Sequence, residues 1–132
     1  MGIQEQIQHI LNTSPTFLIS TVDTRGFPTT IVVSPPLYDK GMHEMTFYLN
    51  AAGETADNIL RNPQGAVCCF IENEHQSLVL KGHFQLRGLK EEDKKYLNEY
   101  QISLKHQEAV LAIFETMICK LHAERVTRSF IF

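Results

Sequence analysis

The spacing of apolar positions changes several times along the chain, and each change marks an element. Ile3, Ile7, Ile10 and Leu11 share one face of a helix that should end near Asn12, where Thr13-Ser14-Pro15 breaks it. "TFLISTV" (residues 16–22) is rich in β-branched residues and reads as a strand. Asp23-Thr24-Arg25-Gly26 then supplies an acidic turn start and a glycine for positive φ. "FPTTIVVS" returns, so residues 16–34 predict a hairpin, with Pro28 tolerable only on an edge or at a bulge. Pro35-Pro36 ends it, and "LYDKGMHE" is a polar excursion ahead of a third strand, "MTFYLN".

A short helix should follow from about Glu54 to Arg61, then a fourth strand, "GAVCCFIE", a turn at "NEHQ" and a long fifth strand, "SLVLKGHFQLRG". Gly82 inside the fifth strand marks a bulge or a close backbone approach. "KEEDKKYLNEYQISLKH" places Tyr96, Leu97, Tyr100 and Leu104 on one stripe of a charged helix, which "QEAVLAIFE" is expected to continue. "TMICKLHAERVTRSFIF" closes the chain as a sixth, partly alternating strand. This order, α-β-β-β-α-β-β-α-β with hairpin-length links, points to one mainly β domain over residues 1–132. A small barrel with helices at its rim fits best, because closure removes exposed sheet edges.

Composition narrows the function classes. With 132 residues the chain can bury a core without staples. A net charge of -3 and the lack of a lysine or arginine cluster argue against a nucleic-acid partner. No apolar run approaches the roughly 18 residues of a membrane span, so no membrane partner is expected. "MGIQEQIQHI" carries Gln and Glu inside a helical pattern and is not a signal peptide. Gln6 also stands where a myristoylation signal needs Ser or Thr. Cys68 and Cys69 point to opposite faces of one strand and Cys119 stands apart, which reads as inert thiols in a reducing cytoplasm.

Most recognisable chemistry is absent. His9, His43, His75, His83, His106 and His122 form no metal-ligand motif, although a site assembled across strands by His83 and His122 is conceivable. There is no serine elbow, no Walker A loop and no dinucleotide fingerprint. The carboxylates of "KEEDKK" and "ENEH" read as exposed faces. One segment stands out: after "FYLN" come Ala51, Ala52 and Gly53, directly ahead of a helix start. The plain reading is a turn in which Asn50 or Thr55 caps the helix. The other is an anion cradle, with N–H groups from Gly53 to Ala56 and the Thr55 hydroxyl facing a phosphate.

Taken in order, "STVDTRGFPTTIVV", "MTFYLN", "ADNILRNPQGAVCCF" and "LVLKGHFQL" resemble the pyridoxamine 5′-phosphate oxidase-like flavoproteins, the FMN-binding split-barrel superfamily. The likeness covers about residues 7–87 well and the last strand loosely. Its sharpest pieces are the T-V-D-x-x-G-x-P hairpin, the helix end from Asn58 to Pro63, and Gly82. The resemblance implies a six-stranded split β-barrel that forms a homodimer, with FMN in clefts between subunits. By position, Thr30, Ile31, Val32, Val33 and Ser34 would lie under the flavin ring, and Asn50 and Ala51 would border the ring and ribityl chain. Gly53, Glu54 and Thr55 fall where most members hold the phosphate with Arg or Lys. Gln76 and Ser77 would reach the flavin from the partner subunit.

The resemblance therefore implies a cytoplasmic flavin-dependent oxidoreductase acting on an unknown small molecule. No catalytic acid or base is assigned. Tyr38 and His43 are candidates only if their loop overhangs the cleft. The basic C-terminal segment of the true oxidases is not recognisable in "ERVTRSFIF", so vitamin B6 oxidation is not assigned. Glu54 is the departure that matters. At about 4 Å and an effective dielectric of 20, each like-charge pair with a phosphate costs about 4 kcal/mol. Thr55 with the helix N–H groups is one way to hold the phosphate, as in small members of the superfamily that keep a threonine there. Arg61, Lys81 or a partner chain's Arg125 are the candidate sources of compensating charge. The alternative is a non-enzymatic binding module using the same cleft for haem, a deazaflavin or a regulatory ligand. A haem would need His43, His75, His83 or His122 as an axial ligand. A dimer with an empty pocket is the third reading.

Overall fold

The computed structural model describes residues 2–105 and 108–132. Helix α1 (Ile3–Thr13) leads into β1 (Phe17–Val22) and β2 (Pro28–Val33), the expected hairpin. A two-residue β3 (Tyr38–Asp39) and β4 (Glu44–Asn50) precede α2 (Glu54–Arg61). Then come β5 (Gln64–Ile71), β6 (Gln76–Gly88), α3 (Glu99–Ser103), β7 (Ala109–Ala123) and β8 (Val126–Ile131). All pairings are antiparallel, in the order β2-β1-β5-β6-β7-β4-β3, with β8 also on β7. The described residues thus hold eight strands where the sequence suggested six.

Strand β7 organises the sheet. Its first half pairs with β4 and its second half with β8 on the same edge, while β6 runs along the other edge for the whole length. Between Lys81–Ile118 and Gly82–Thr116 the register slips, leaving Met117 as an extra residue. Gly82 permits this close crossing, since a Cβ there would lie 1.9 Å from the Glu115 carbonyl oxygen. The bulge expected at Gly82 is present. Pro28 opens β2, an edge strand, as its missing N–H requires.

Inside, Phe17, Phe47 and Phe114 are fully buried, and tilted ring pairs join Phe17 to Phe47 at 5.8 Å and Phe84 to Phe114 at 4.8 Å. Each such burial contributes about 1.5–3 kcal/mol relative to exposure. Ile7, Ile10 and Leu11 of α1 close one end of this core. Helix α2 is tied down through Asn58, 2% exposed, whose amide donates to Thr21 Oγ1 at 3.1 Å. Arg61 donates to the Val22 carbonyl at 2.7 Å and to Asn58 Oδ1 at 2.9 Å. The Asn58-to-Pro63 pattern is therefore a structural anchor.

Three expectations fail. The charged helix over residues 90–106 is a 3₁₀ turn (Glu91–Tyr96) followed by the short α3, broken where Leu97 adopts an extended backbone. Asn98 restarts the chain with a reciprocal cap to Gln101, at 2.8 and 3.0 Å. Residues 109–115, read as helix, are strand, while His106 and Gln107 lie outside the described residues. Residues 116–132, read as one strand, turn back at Glu124-Arg125 (φ 54° and 66°) to form the β7–β8 hairpin.

Candidate functional site

Beyond β4 the backbone makes the turn that its small residues suggested. Asn50 Oδ1 accepts from the Ala52 N–H at 3.1 Å, and the Asn50 carbonyl accepts from the Gly53 N–H at 3.1 Å. Gly53 is the N-cap of α2 and offers no side-chain cap. Thr55 is only 7% exposed. Glu54 is exposed and reaches across to β2, where Thr29 Oγ1 donates to Glu54 Oε1 at 3.4 Å. Within this one chain neither Arg61 nor Lys81 answers it. Arg61 is committed to Val22 and Asn58, and Arg125 sits in the β7–β8 turn. Lys81 lies on the row Thr30–Ser20–Ala66–Lys81, three strand spacings or about 14 Å from Thr30.

Strand β2 carries no partner on its outer edge among the described residues, so alternate N–H and C=O groups of its backbone are free to meet a ligand. A groove of about 170 Å³ runs beside that edge, where the sheet stays open between β2 and β4. Of the residues the resemblance sets around a flavin, Ile31, Val32, Val33, Ser34 and Asn50 line it, and Thr30, Ala51, Gly53 and Thr55 do not. Tyr48, Tyr100, Gln101 and Leu104 line it too and were not foreseen. For Tyr100 and Gln101 the signal lay in the Asn98–Gln101 cap that starts α3; Tyr48 sits on β4, two residues before Asn50. This volume falls short of the roughly 300 Å³ at which ordinary ligand pockets begin.

Gln76 and Ser77 stand apart. Val33, Phe17, Cys69 and Leu78 form one cross-strand row, which sets the start of β6 about 14 Å from β2. The Gln76 side-chain oxygen is buried with no hydrogen-bond partner among the described residues. Next to this end of β6, a wider concavity of about 780 Å³ is lined by Thr13, Thr16, Phe70 and His75, among others. On the outer face between the two regions, Val32, Leu18, Cys68 and Val79 form an apolar row, with Val32 70% exposed.

The loop candidates have other duties. Tyr38 donates to Asp93 Oδ1 at 2.6 Å, and Arg87 binds both Asp93 oxygens at 2.8 and 3.1 Å. The hydrogen bond to Asp93 pushes the Tyr38 phenol up to about 12, and Arg87 holds the Asp93 carboxyl well below the usual carboxylate range. That cluster braces the 3₁₀ turn. His43 is exposed, with its ring 5.1 Å from Phe132. His122 accepts from or donates to Thr127 at 2.8 Å. It pairs with Ser77, six positions from His83 along β6 and so about 20 Å away, which rules out a shared metal site. No cluster of three metal-ligating side chains occurs among the described residues. Desolvation raises the Cys69 and Cys119 thiols to about 12 and about 11.

A family model described as pyridoxamine 5′-phosphate oxidase matches residues 3–128. The chain belongs to that family. A protein from Clostridium acetobutylicum related to general stress protein 26 of B. subtilis superposes with a TM-score of 0.82 at 11% identity, covering 98% of this chain and 94% of the other. A pyridoxamine 5′-phosphate oxidase-related, FMN-binding protein from Nostoc punctiforme gives 0.66 at 11% identity, over 97% and 93%. A haem-binding protein from Mycobacterium smegmatis gives 0.77 at 12% identity, over 99% of this chain but 58% of that one. No curated protein sequence matches the chain. At these identities the likeness is one of fold, the mainly β split barrel of the family.

The site fits one half of FMN and not the other. A free strand edge beside a groove of mixed apolar and polar lining suits the flat ring, whereas Glu54, with no ion pair among the described residues of this chain, does not suit a phosphate dianion.

Proposed function

We propose that this chain is a homodimeric flavin-binding protein of the split-barrel class, acting as a cytoplasmic oxidoreductase on a small molecule. The observation that carries this reading is the unpaired edge of β2 beside a groove too small to enclose a ligand alone. A second copy docked on the apolar row Val32–Leu18–Cys68–Val79 completes the cleft. By the resemblance, its Gln76 and Ser77, at the start of β6, are then the residues that approach the ring. A bound flavin supplies hydride or electron transfer, and the residues of this chain hold and orient it. Three unpaired cysteines favour a reducing compartment.

The test combines absorbance titration with light scattering. Saturable flavin binding at micromolar affinity or better (about −8 kcal/mol) by a dimer supports the reading. Val32→Glu, which sets a charge on the apolar row, should yield a monomer that no longer binds. A wild-type protein that is monomeric at tens of micromolar, or takes up no flavin, ends it.

Haem is a second reading, with one observation in its favour. His75 lines the concavity of about 780 Å³, large enough for such a ligand. A Soret band that His75→Ala abolishes would establish it.

A further inference from the structure

The inference drawn here rests on the flavin cleft proposed above and concerns which flavin enters it. A ligand laid along the free edge of β2 from Ser34 towards Thr29 runs out at the start of α2, against Glu54. What it meets there is the Glu54 carboxylate, beside first-turn N–H groups of α2 that no side chain caps. Glu54 is exposed and forms no ion pair among the described residues, and Asp57 follows in the same first turn. The Ala52 and Gly53 N–H groups, which would otherwise face a ligand, are spent on Asn50. The positive end of the α2 dipole attracts anions, but the two carboxylates of that turn already answer it. Arg61, at the far end of α2, is held by Val22 and Asn58.

We infer that the cleft selects a flavin whose side chain ends in an uncharged polyol, the riboflavin class, and rejects the phosphate ester. A terminal hydroxyl donates to the Glu54 carboxylate, a charge-assisted hydrogen bond. A phosphate dianion has no proton to donate and meets a like charge instead. The polyol also keeps the Thr29 hydroxyl within reach, so the ligand joins a contact that already exists.

The experiment titrates the full-length protein with riboflavin and with FMN in parallel, following quenching of flavin fluorescence. The expected result is riboflavin binding at least tenfold tighter than FMN, with the ratio shrinking as salt is raised. Glu54→Gln should bring the two affinities together, and Glu54→Lys should reverse their order. Both substitutions fall on an exposed side chain, and circular dichroism verifies that each variant folds. FMN binding as tightly as riboflavin, or a ratio unmoved by Glu54→Lys, overturns this inference and leaves the flavin cleft standing. Binding of neither flavin overturns both.

Discussion

Two carboxylates sit in the first turn of a helical segment, and the molecule treats them in opposite ways. Asp93, in the 3₁₀ turn Glu91–Tyr96, is 3% exposed and accepts from Arg87, Tyr38 and the Lys90 N–H. Glu54, in the first turn of α2, is exposed and touches only the Thr29 hydroxyl among the described residues. A buried charge is tolerated only when its lone pairs are filled, so the first is fixed by folding. The second costs the fold nothing and is left available to whatever lies along β2. Where polar groups are saturated the residue holds structure, and where one is left open beside a free strand edge it selects a ligand.

The sharpest way to break this contrast is Asp93→Ala. It should cost about 3 kcal/mol in urea unfolding, at the low end for breaking a buried pair, because the Arg87 side chain is 30% exposed and regains water. A loss below about 1 kcal/mol would mean the cluster is decoration. Next comes Gly82→Ala on β6, the strand that also carries Arg87, where the new Cβ would collide with the Glu115 carbonyl. A loss of about 2 kcal/mol is expected by the same assay, since backbone must shift. Glu54→Ala should change stability by no more than about 0.5 kcal/mol while changing flavin preference.

The pH dependence follows from the same asymmetry. The Asp93 carboxyl titrates below its unfolded value near 3.9, so its contribution is whole above that pH and fades as acid drives pH down towards the folded value. Tyr38 is raised from 10.0 to about 12, so its contribution is whole below pH 10 and fades between pH 10 and 12. Wild type should therefore lose more stability than Asp93→Asn between pH 5 and 2. Parallel acid profiles for the two proteins would remove Asp93 as the cause.

The parts of the fold that could be read from sequence are those where one face is wet. The β1–β2 hairpin, α2 and the Gly82 bulge carried their own turn residues, periods and glycines. Residues 109–114 did not. Leu111, Ala112 and Phe114 are buried and their neighbours half-buried, so the two-residue alternation disappears and the run reads as helix. The β7–β8 turn hid for another reason: Glu124 and Arg125 take positive φ without the Asn or Gly that usually announces it. At the site, Ile31 to Ser34 and Asn50 line the groove beside β2, a placement that only the family resemblance, not their periodicity, suggested. Tyr100 and Gln101 were not legible, because they reach the groove only through the restart of the chain at Asn98.

The placement of the three thiols gives the molecule an internal gauge of its own integrity. Burial raises all three thiols, but Cys69 and Cys119 are sealed in the barrel, whereas Cys68 is half-exposed on the outer apolar row. A maleimide should add once to the intact free chain and three times after global opening. Mass spectrometry after a short labelling pulse would then count folded and opened molecules directly, with no engineered probe, and slower addition at Cys68 would report that a neighbour had settled over that face.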